Sequence, residues 1–277
     1  MKTKSIIHLA AALLLATFGL QPSTVLAQGS LTPPGAPAPT MKSLNQIEPR
    51  IPIDALHTPG DVSSAYIISN SGSYYLTTNL NNAIGKSYMI TIMANNVTVD
   101  LGGFSLLGNS TTFYGIAVPN FQTNVIVRNG FVSGFASYGV YCANVYYGGF
   151  NHLTVSQNNY AGLACGRKGL IQDCLAVGNV MDGFYVFGYS MVQNCVATDN
   201  NATGIHVLES GSRIEGNHVV HNGIGVKVDA GGNLIIRNSA TGSVTNNYSI
   251  AAGNVAGPSV NAANIATNSN PHANYDF

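Results

Sequence analysis

Apolar and polar residues alternate along this chain in runs of three or four, and from residue 139 onward the runs repeat. Gly139-Val-Tyr-Cys, Gly162-Leu-Ala-Cys, Gly183-Phe-Tyr-Val, Gly204-Ile-His-Val and Gly225-Val-Lys-Val each place two apolar residues around one of unrestricted type. The last three copies start 21 residues apart, and the two before them follow at spacings of 23 and 21. A short alternating run is a strand with one buried face, because successive side chains of a strand point to opposite sides. A fixed period of this size marks a stacked repeat. Val140 and Cys142, Leu163 and Cys165, Phe184 and Val186, Ile205 and Val207, and Val226 and Val228 are therefore expected to point inward. Tyr141, Ala164, Tyr185, His206 and Lys227 are expected to face out.

A second series shares the period: Val127-Arg-Asn-Gly, Ile171-Gln-Asp-Cys, Val192-Gln-Asn-Cys and Ile214-Glu-Gly-Asn. An inward aliphatic, an outward polar residue and then Asn, Asp or Gly predict a sharp bend at a left-handed residue. Asn217 and Asn238 would continue inward the positions of Cys174 and Cys195. Upstream, alternation and β-branched residues predict strands at residues 66–68, 72–76, 90–92 and 95–101. No apolar stripe of period 3.6 runs beyond a turn or two, which excludes a helical fold. A propeller blade needs about 40 residues, whereas a coil of three short strands fits the observed period.

The pattern aliphatic-x-Asn-(Cys or Asn), then x-x-Asn-x-x-Gly-Ile-x-Val, resembles the repeat of right-handed parallel β-helix proteins of the pectate-lyase-like superfamily. It runs over roughly residues 66–256, and the stretch from Asn96 to Phe104 (NVTVDLGGF) is similar to the first coils of such proteins. The proline-rich start and the ending NPHANYDF resemble bacterial secreted members without assigned activity. The resemblance implies an all-β, single-stranded parallel β-helix of about eight or nine coils. Members often bind or cut acidic polysaccharides, so a polysaccharide is the implied partner.

Only 8% of the residues are charged, acidic and basic residues number 11 each, and 45% are hydrophobic. An average soluble domain carries roughly 25% charge. A nucleic-acid binder would show a basic excess, and a disordered chain would be poor in apolar residues. Lys2, Lys4, the apolar residues 6–20 and Val25-Leu-Ala27 read as a secretory signal peptide over residues 1–27, giving a secreted or periplasmic protein with no membrane span after cleavage. Residues 28–60 form a proline-rich linker and N-terminal capping segment, including two helical turns at 41–48. The β-helix proper spans 61–257 and a C-terminal capping tail 258–277. Between residues 61 and 257 the only proline is Pro119, as a hydrogen-bonded ladder requires.

The four cysteines, Cys142, Cys165, Cys174 and Cys195, would lie in pairs on neighbouring coils. Strands about 4.8 Å apart separate Cβ atoms farther than the ~3.8 Å of a relaxed disulfide, so buried thiol stacks are favoured over disulfides. Zinc-type Cys and His spacings are absent, and no metal or cofactor is expected. His218 and His221 lie three apart and would point to opposite faces of a strand. Asp100 reads as a turn or strand residue, and Glu215 with Arg237 as an exposed pair on adjacent coils.

The catalytic strings of the superfamily are missing. The chain has no Arg-x-Pro-x-x-Arg run of pectate lyases, no Asp-Asp pair or Gly-His-Gly of polygalacturonases, and Pro271-His272 lacks the Asp of alginate epimerases. The best candidate surface is the outward row Tyr141, Tyr185, His206, Lys227 and Asp229, with Glu209 nearby. Rings there could stack on sugars, and Lys227 or His206 could move a proton or meet a uronate. A glycan-binding module is the primary expectation. A polysaccharide lyase using Lys227 and His206, and a structural or adhesin-like envelope module, are the alternatives; an ordinary solvent-facing row accounts for the same residues. Oligomeric state is left open.

Overall fold

The computed structural model describes residues 49–81 and 83–277. The expected signal peptide at 1–27, the linker expected from residue 28 and the helix expected at 41–48 lie outside the described residues. Within residues 49–277 every paired strand except one isolated bridge runs parallel to its neighbours, and no helix occurs among the described residues. The chain winds as a right-handed parallel β-helix of about nine coils. This is the sense that parallel crossovers strongly favour.

Each coil contributes one strand to a nine-stranded sheet and then crosses an eighteen-stranded sheet that bends along its middle, in most coils as two short strands and in two of them as one continuous strand, Val125–Ser133 and Gly149–Ser156. One coil runs through Phe184–Val186 in the first sheet, then Met191–Gln193 and Val196–Thr198 in the second, before Thr203–Val207 starts the next. The register aligns the repeat as read from its glycines: Phe184 lies beside Ile205 and Val186 beside Val207, with Tyr185 beside His206 between them. All ten predicted inward residues are buried. The strand residues at 66–68, 72–75, 90–92 and 97–100 fall inside the observed elements.

Ala164 departs from the expected outward row, being fully buried. It does point outward, but it sits in register between Tyr141 and Tyr185. A methyl group flanked by two phenol rings on strands about 4.8 Å away is covered by them.

The bends form as the sequence predicts. Asn129, Asp173, Asn194, Gly216 and Arg237 have φ between 52° and 67°, and the aliphatics before them, Val127, Ile171, Val192 and Ile214, are buried. Behind this corner runs a ladder in which Cys195 N–H donates to Asn217 Oδ1 at 2.9 Å and Asn217 Nδ2 donates to Asn238 Oδ1 at 2.9 Å. Asn274, from the returning tail, accepts from Asn238 N–H at 3.0 Å and is the next rung.

Two further ladders line the other corners. Asn158 donates to Asn179, Asn179 to Asn200 and Asn200 to Asn222, at 2.9, 2.8 and 2.9 Å between side-chain atoms. Ser190, Ser212, Asn233 and Asn254 take up backbone N–H groups of the preceding coils in the same manner. Polar side chains inside a narrow cylinder are thus satisfied coil by coil, as burial demands.

The repeat glycines are explained by these ladders. Gly183 does not have positive φ; a Cβ there would stand 2.7 Å from Gly204 O and 2.9 Å from Asn200 Nδ2. Glycine is required because the next coil's backbone and the amide ladder approach too closely for any side chain.

The four cysteines are buried and unbonded, with Cys142 in register with Cys165. Burial pushes the Cys165 thiol up to about 12 and raises Cys142 as well. Asp100 is a structural residue. It accepts from Gly102 N–H, Asn129 Nδ2 and Arg128, whose Nη2 is 3.1 Å away. Burial pushes its carboxyl up, but these hydrogen bonds and the Arg128 charge together hold it below the usual range. Glu215 and Arg237 pair across coils at 2.9 Å, and His218 and His221 are both exposed.

Candidate functional site

The outward side chains of the nine-stranded sheet form two adjoining groups. The first is aromatic. Tyr88, Tyr114 and Tyr138 stand on three consecutive coils with centroids 5.2 and 6.0 Å apart and planes within 14° of parallel. Tyr141 packs against Tyr138 at 4.9 Å and Tyr114 at 5.5 Å, and Tyr160 approaches Tyr138 at 4.8 Å. The parallel register builds this cluster, because it returns the same position of each coil to the same face. Burial, reinforced by neighbouring phenols, raises Tyr138, and burial likewise raises Tyr141 and Tyr185. These groups remain neutral hydroxyls that donate and accept hydrogen bonds.

The second group is ionic. Tyr185 meets the His206 ring edge-on at 5.4 Å. His206 Nδ1 lies 3.1 Å from Asp182 Oδ2 and its Nε2 lies 2.8 Å from Asp229 Oδ2. Lys227 Nζ is 3.1 Å from Asp229 Oδ1 and 3.3 Å from His206 Nε2. The His206 and Asp182 side chains are only 13% and 8% exposed, whereas Lys227 and Asp229 remain about one-third open. Burial alone would lower the His206 pKa, but hydrogen bonds to Asp182 and Asp229 outweigh it and raise it. For Asp229 burial works upward, and the contacts with His206 and Lys227 win and lower it. Both ring nitrogens face carboxylates, which favours the protonated imidazole.

Of the residues expected from the sequence, Tyr185, His206, Lys227 and Asp229 come together in one contact network, and Tyr141 joins the aromatic cluster. Glu209 does not join it. Its carboxylate is held by Arg167 through two nitrogens and by Gly188 N–H at 3.2 Å. Arg167 lies 42 positions earlier, two coils back. Asp182, Tyr88, Tyr114, Tyr138 and Tyr160 were not anticipated. Tyr114, Tyr138 and Asp182 each stand immediately before a glycine of the series Gly115, Gly139 and Gly183. That regular position was the available signal.

The charges in the ionic group are spent on one another. Lys227 is paired with Asp229, and His206 is enclosed by two carboxylates, so neither offers an unpartnered base. What the surface presents is ring faces, hydroxyls and a set of mutually paired polar groups. Among the described residues no cluster of three or more His, Cys, Asp or Glu could hold a metal ion, and no helix is long and apolar enough to cross a membrane.

No protein-family model matches the chain, and no curated protein sequence matches it. Among solved structures, it is similar to the Dettilon tailspike protein, with a TM-score of 0.60 at 16% identity over 72% of this chain. The match spans 46% of that tailspike's own length. At this identity the likeness concerns the fold.

Proposed function

We propose that this chain is a glycan-binding β-helix that holds a linear polysaccharide along the outward face of its nine-stranded sheet. The observation that carries the reading is the row of phenol rings on successive coils, from Tyr88 to Tyr185, leading into the Asp182, His206, Asp229 and Lys227 network. Pyranose rings present apolar C–H faces that stack on aromatics and hydroxyls that match fixed polar groups. A parallel solenoid supplies such contacts at a constant interval, as a polymer of repeating sugars requires. The likeness to a tailspike protein supports the scaffold, and the ligand is argued from the side chains alone.

Binding is favoured over a lyase activity because the groups that a β-elimination would use, Lys227 and His206, are already neutralised by Asp229 and Asp182. Export through residues 1–27 is part of the same proposal and rests on the leader-like sequence. The test is retention of the protein on immobilised uronate-containing and neutral polysaccharides, with absorbance near 235 nm and reducing ends followed in the same samples. Retention without product supports the binding module. Unsaturated product lost in Lys227→Ala assigns a lyase, and absence of both retention and product overturns the proposal.

A further inference from the structure

Beyond the nine-stranded sheet, the chain turns a corner whose central residue is left-handed on successive coils: Tyr147, Lys168, Tyr189, Gly211, Gly232 and Gly253, with φ from 58° to 83°. Backbone bonds align them: Tyr147 N–H donates to Arg167 O, Lys168 N–H to Gly188 O and Tyr189 N–H to Ser210 O, at 3.2, 3.1 and 2.9 Å. Glycine is the unstrained residue for this conformation, and a bulky aromatic there is an outlier. Three later coils use glycine, while three earlier ones place tyrosine, lysine and tyrosine at the same point.

These side chains gain little burial in return. Tyr147 is 52% exposed and Tyr189 60% exposed, and Lys168 is exposed too. Their placement is nevertheless organised. The Tyr189 ring lies against Gly211 of the next coil, so closely that a Cβ on that glycine would be 2.5 Å from the ring. One side of the ring is braced and the rest faces solvent. Lys168 Nζ sits 5.3 Å from the Tyr147 ring centroid and 5.8 Å from that of Tyr146. Its hydrogen-bond partner is the Tyr147 hydroxyl at 3.4 Å, and no carboxylate pairs with it among the described residues. The neighbouring cation, Arg167, is by contrast neutralised by Glu209.

We infer that Tyr147, Lys168 and Tyr189 form a second binding ridge, which takes a glycan bearing an anionic group between two stacked sugars. The backbones of Tyr147 and Tyr189 stand two coils apart, about 10 Å along the axis, the reach of a disaccharide, with Lys168 on the coil between them and its ammonium held against the Tyr147 ring. Strained backbone retained at exposed positions is found at binding sites, where function offsets it. The shared chemistry is a negative oxygen group on a sugar, either carboxylate or sulfate. The inference rests on the proposed function for the ligand being a glycan, and adds its charge and a separate place of contact.

The test measures binding of full-length protein, Tyr147→Gly, Tyr189→Gly and Lys168→Gln to an array of carboxylated, sulfated and neutral oligosaccharides, alongside melting temperature. Glycine already serves this corner in three coils, so both glycine variants should melt within about 3 °C of the parent. Each should lose about tenfold in affinity. Lys168→Gln should weaken the anionic ligands only, and the preferred array members identify carboxylate or sulfate. If the parent binds glycans and all three variants bind equally well, the ridge is overturned while the proposed function stands. Equal loss by Lys168→Gln toward neutral and anionic glycans overturns the charge assignment. Failure of the parent to bind any array member overturns both. A large fall in melting temperature in the glycine variants shows the tyrosines to be structural and contradicts the ridge.

Discussion

His206 Nε2 lies 2.8 Å from Asp229 Oδ2, a carboxylate 23 positions later on the neighbouring coil, while its other ring nitrogen faces Asp182 on the coil before. One imidazole therefore ties three coils together across the candidate surface, with Lys227 closing the network on Asp229. The tie has a predictable pH dependence. A raised His206 pKa contributes stability that is fully present below the unfolded value of about 6.5 and is lost as pH rises through the folded value. A lowered Asp229 pKa contributes stability present above its unfolded value of about 3.9 and lost as pH falls through the folded one. The stability difference between the parent and His206→Gln should thus be widest near roughly pH 5–6 and narrow at higher pH. Denaturant unfolding at a series of pH values measures it; a gap that widens above neutrality contradicts the ion pairing.

The inner amide ladder predicts a large effect from a small change. In Asn200→Ala, Asn179 loses the acceptor of both its backbone N–H, at 3.1 Å, and its side-chain amide, at 2.8 Å. The carbonyl of Ala176 loses a donor as well. Each buried group left unsatisfied costs about 1–3 kcal/mol, so the loss should be about 3 kcal/mol or more. In the opposite direction, the ladder stops at Ser243, whose Oγ is buried without a partner. Ser243→Asn should give Asn222 a further rung and stabilise the fold by about 1 kcal/mol. Urea midpoints of the two variants moving the same way would contradict the ladder account.

Gly183 offers a separate check on packing between coils. Because a Cβ there would collide with Gly204 O, Gly183→Ala should destabilise by about 1–3 kcal/mol. A glycine needed only for flexibility would instead give a neutral or stabilising alanine. Thermal unfolding distinguishes the two.

Thiol accessibility tests the interior directly. Burial keeps Cys142 and Cys165 protonated, and all four cysteines lie inside. A thiol reagent added to native protein should therefore modify none of them on the time scale in which it modifies all four in denaturant. Rapid native labelling contradicts the predicted stack.

The solenoid was legible in the sequence because its period is carried by residues with few substitutes. Gly183 and Gly204 have no room for a side chain, and Phe184, Ile205 and Val226 must fill the interior. The bends at Asn129, Asp173 and Asn194 were legible for a similar reason, since few residues tolerate positive φ. The inner ladder of Asn158, Asn179, Asn200 and Asn222 was not, because an asparagine among polar neighbours reads as a loop residue. One member of the ionic group, Asp182, was hidden too. Asp182 precedes its glycine at a corner where strand alternation no longer says which way a side chain points. Glu209 lies in a turn whose course the period does not fix, and its partner Arg167 is two coils away. Tyr88 and Tyr114 belong to early coils of unequal length, where the spacing that aligned the later ones fails.

Localising glycan binding to one face tests the central claim most directly. Affinity should be compared for the parent, for Tyr141→Ala and Tyr185→Ala on the nine-stranded sheet, and for Phe131→Ala, an exposed side chain on the eighteen-stranded sheet. The account predicts that each tyrosine variant weakens binding by about tenfold, while Phe131→Ala binds as the parent does and all remain folded. Equal affinity across the four proteins, or a loss confined to Phe131→Ala, would contradict it.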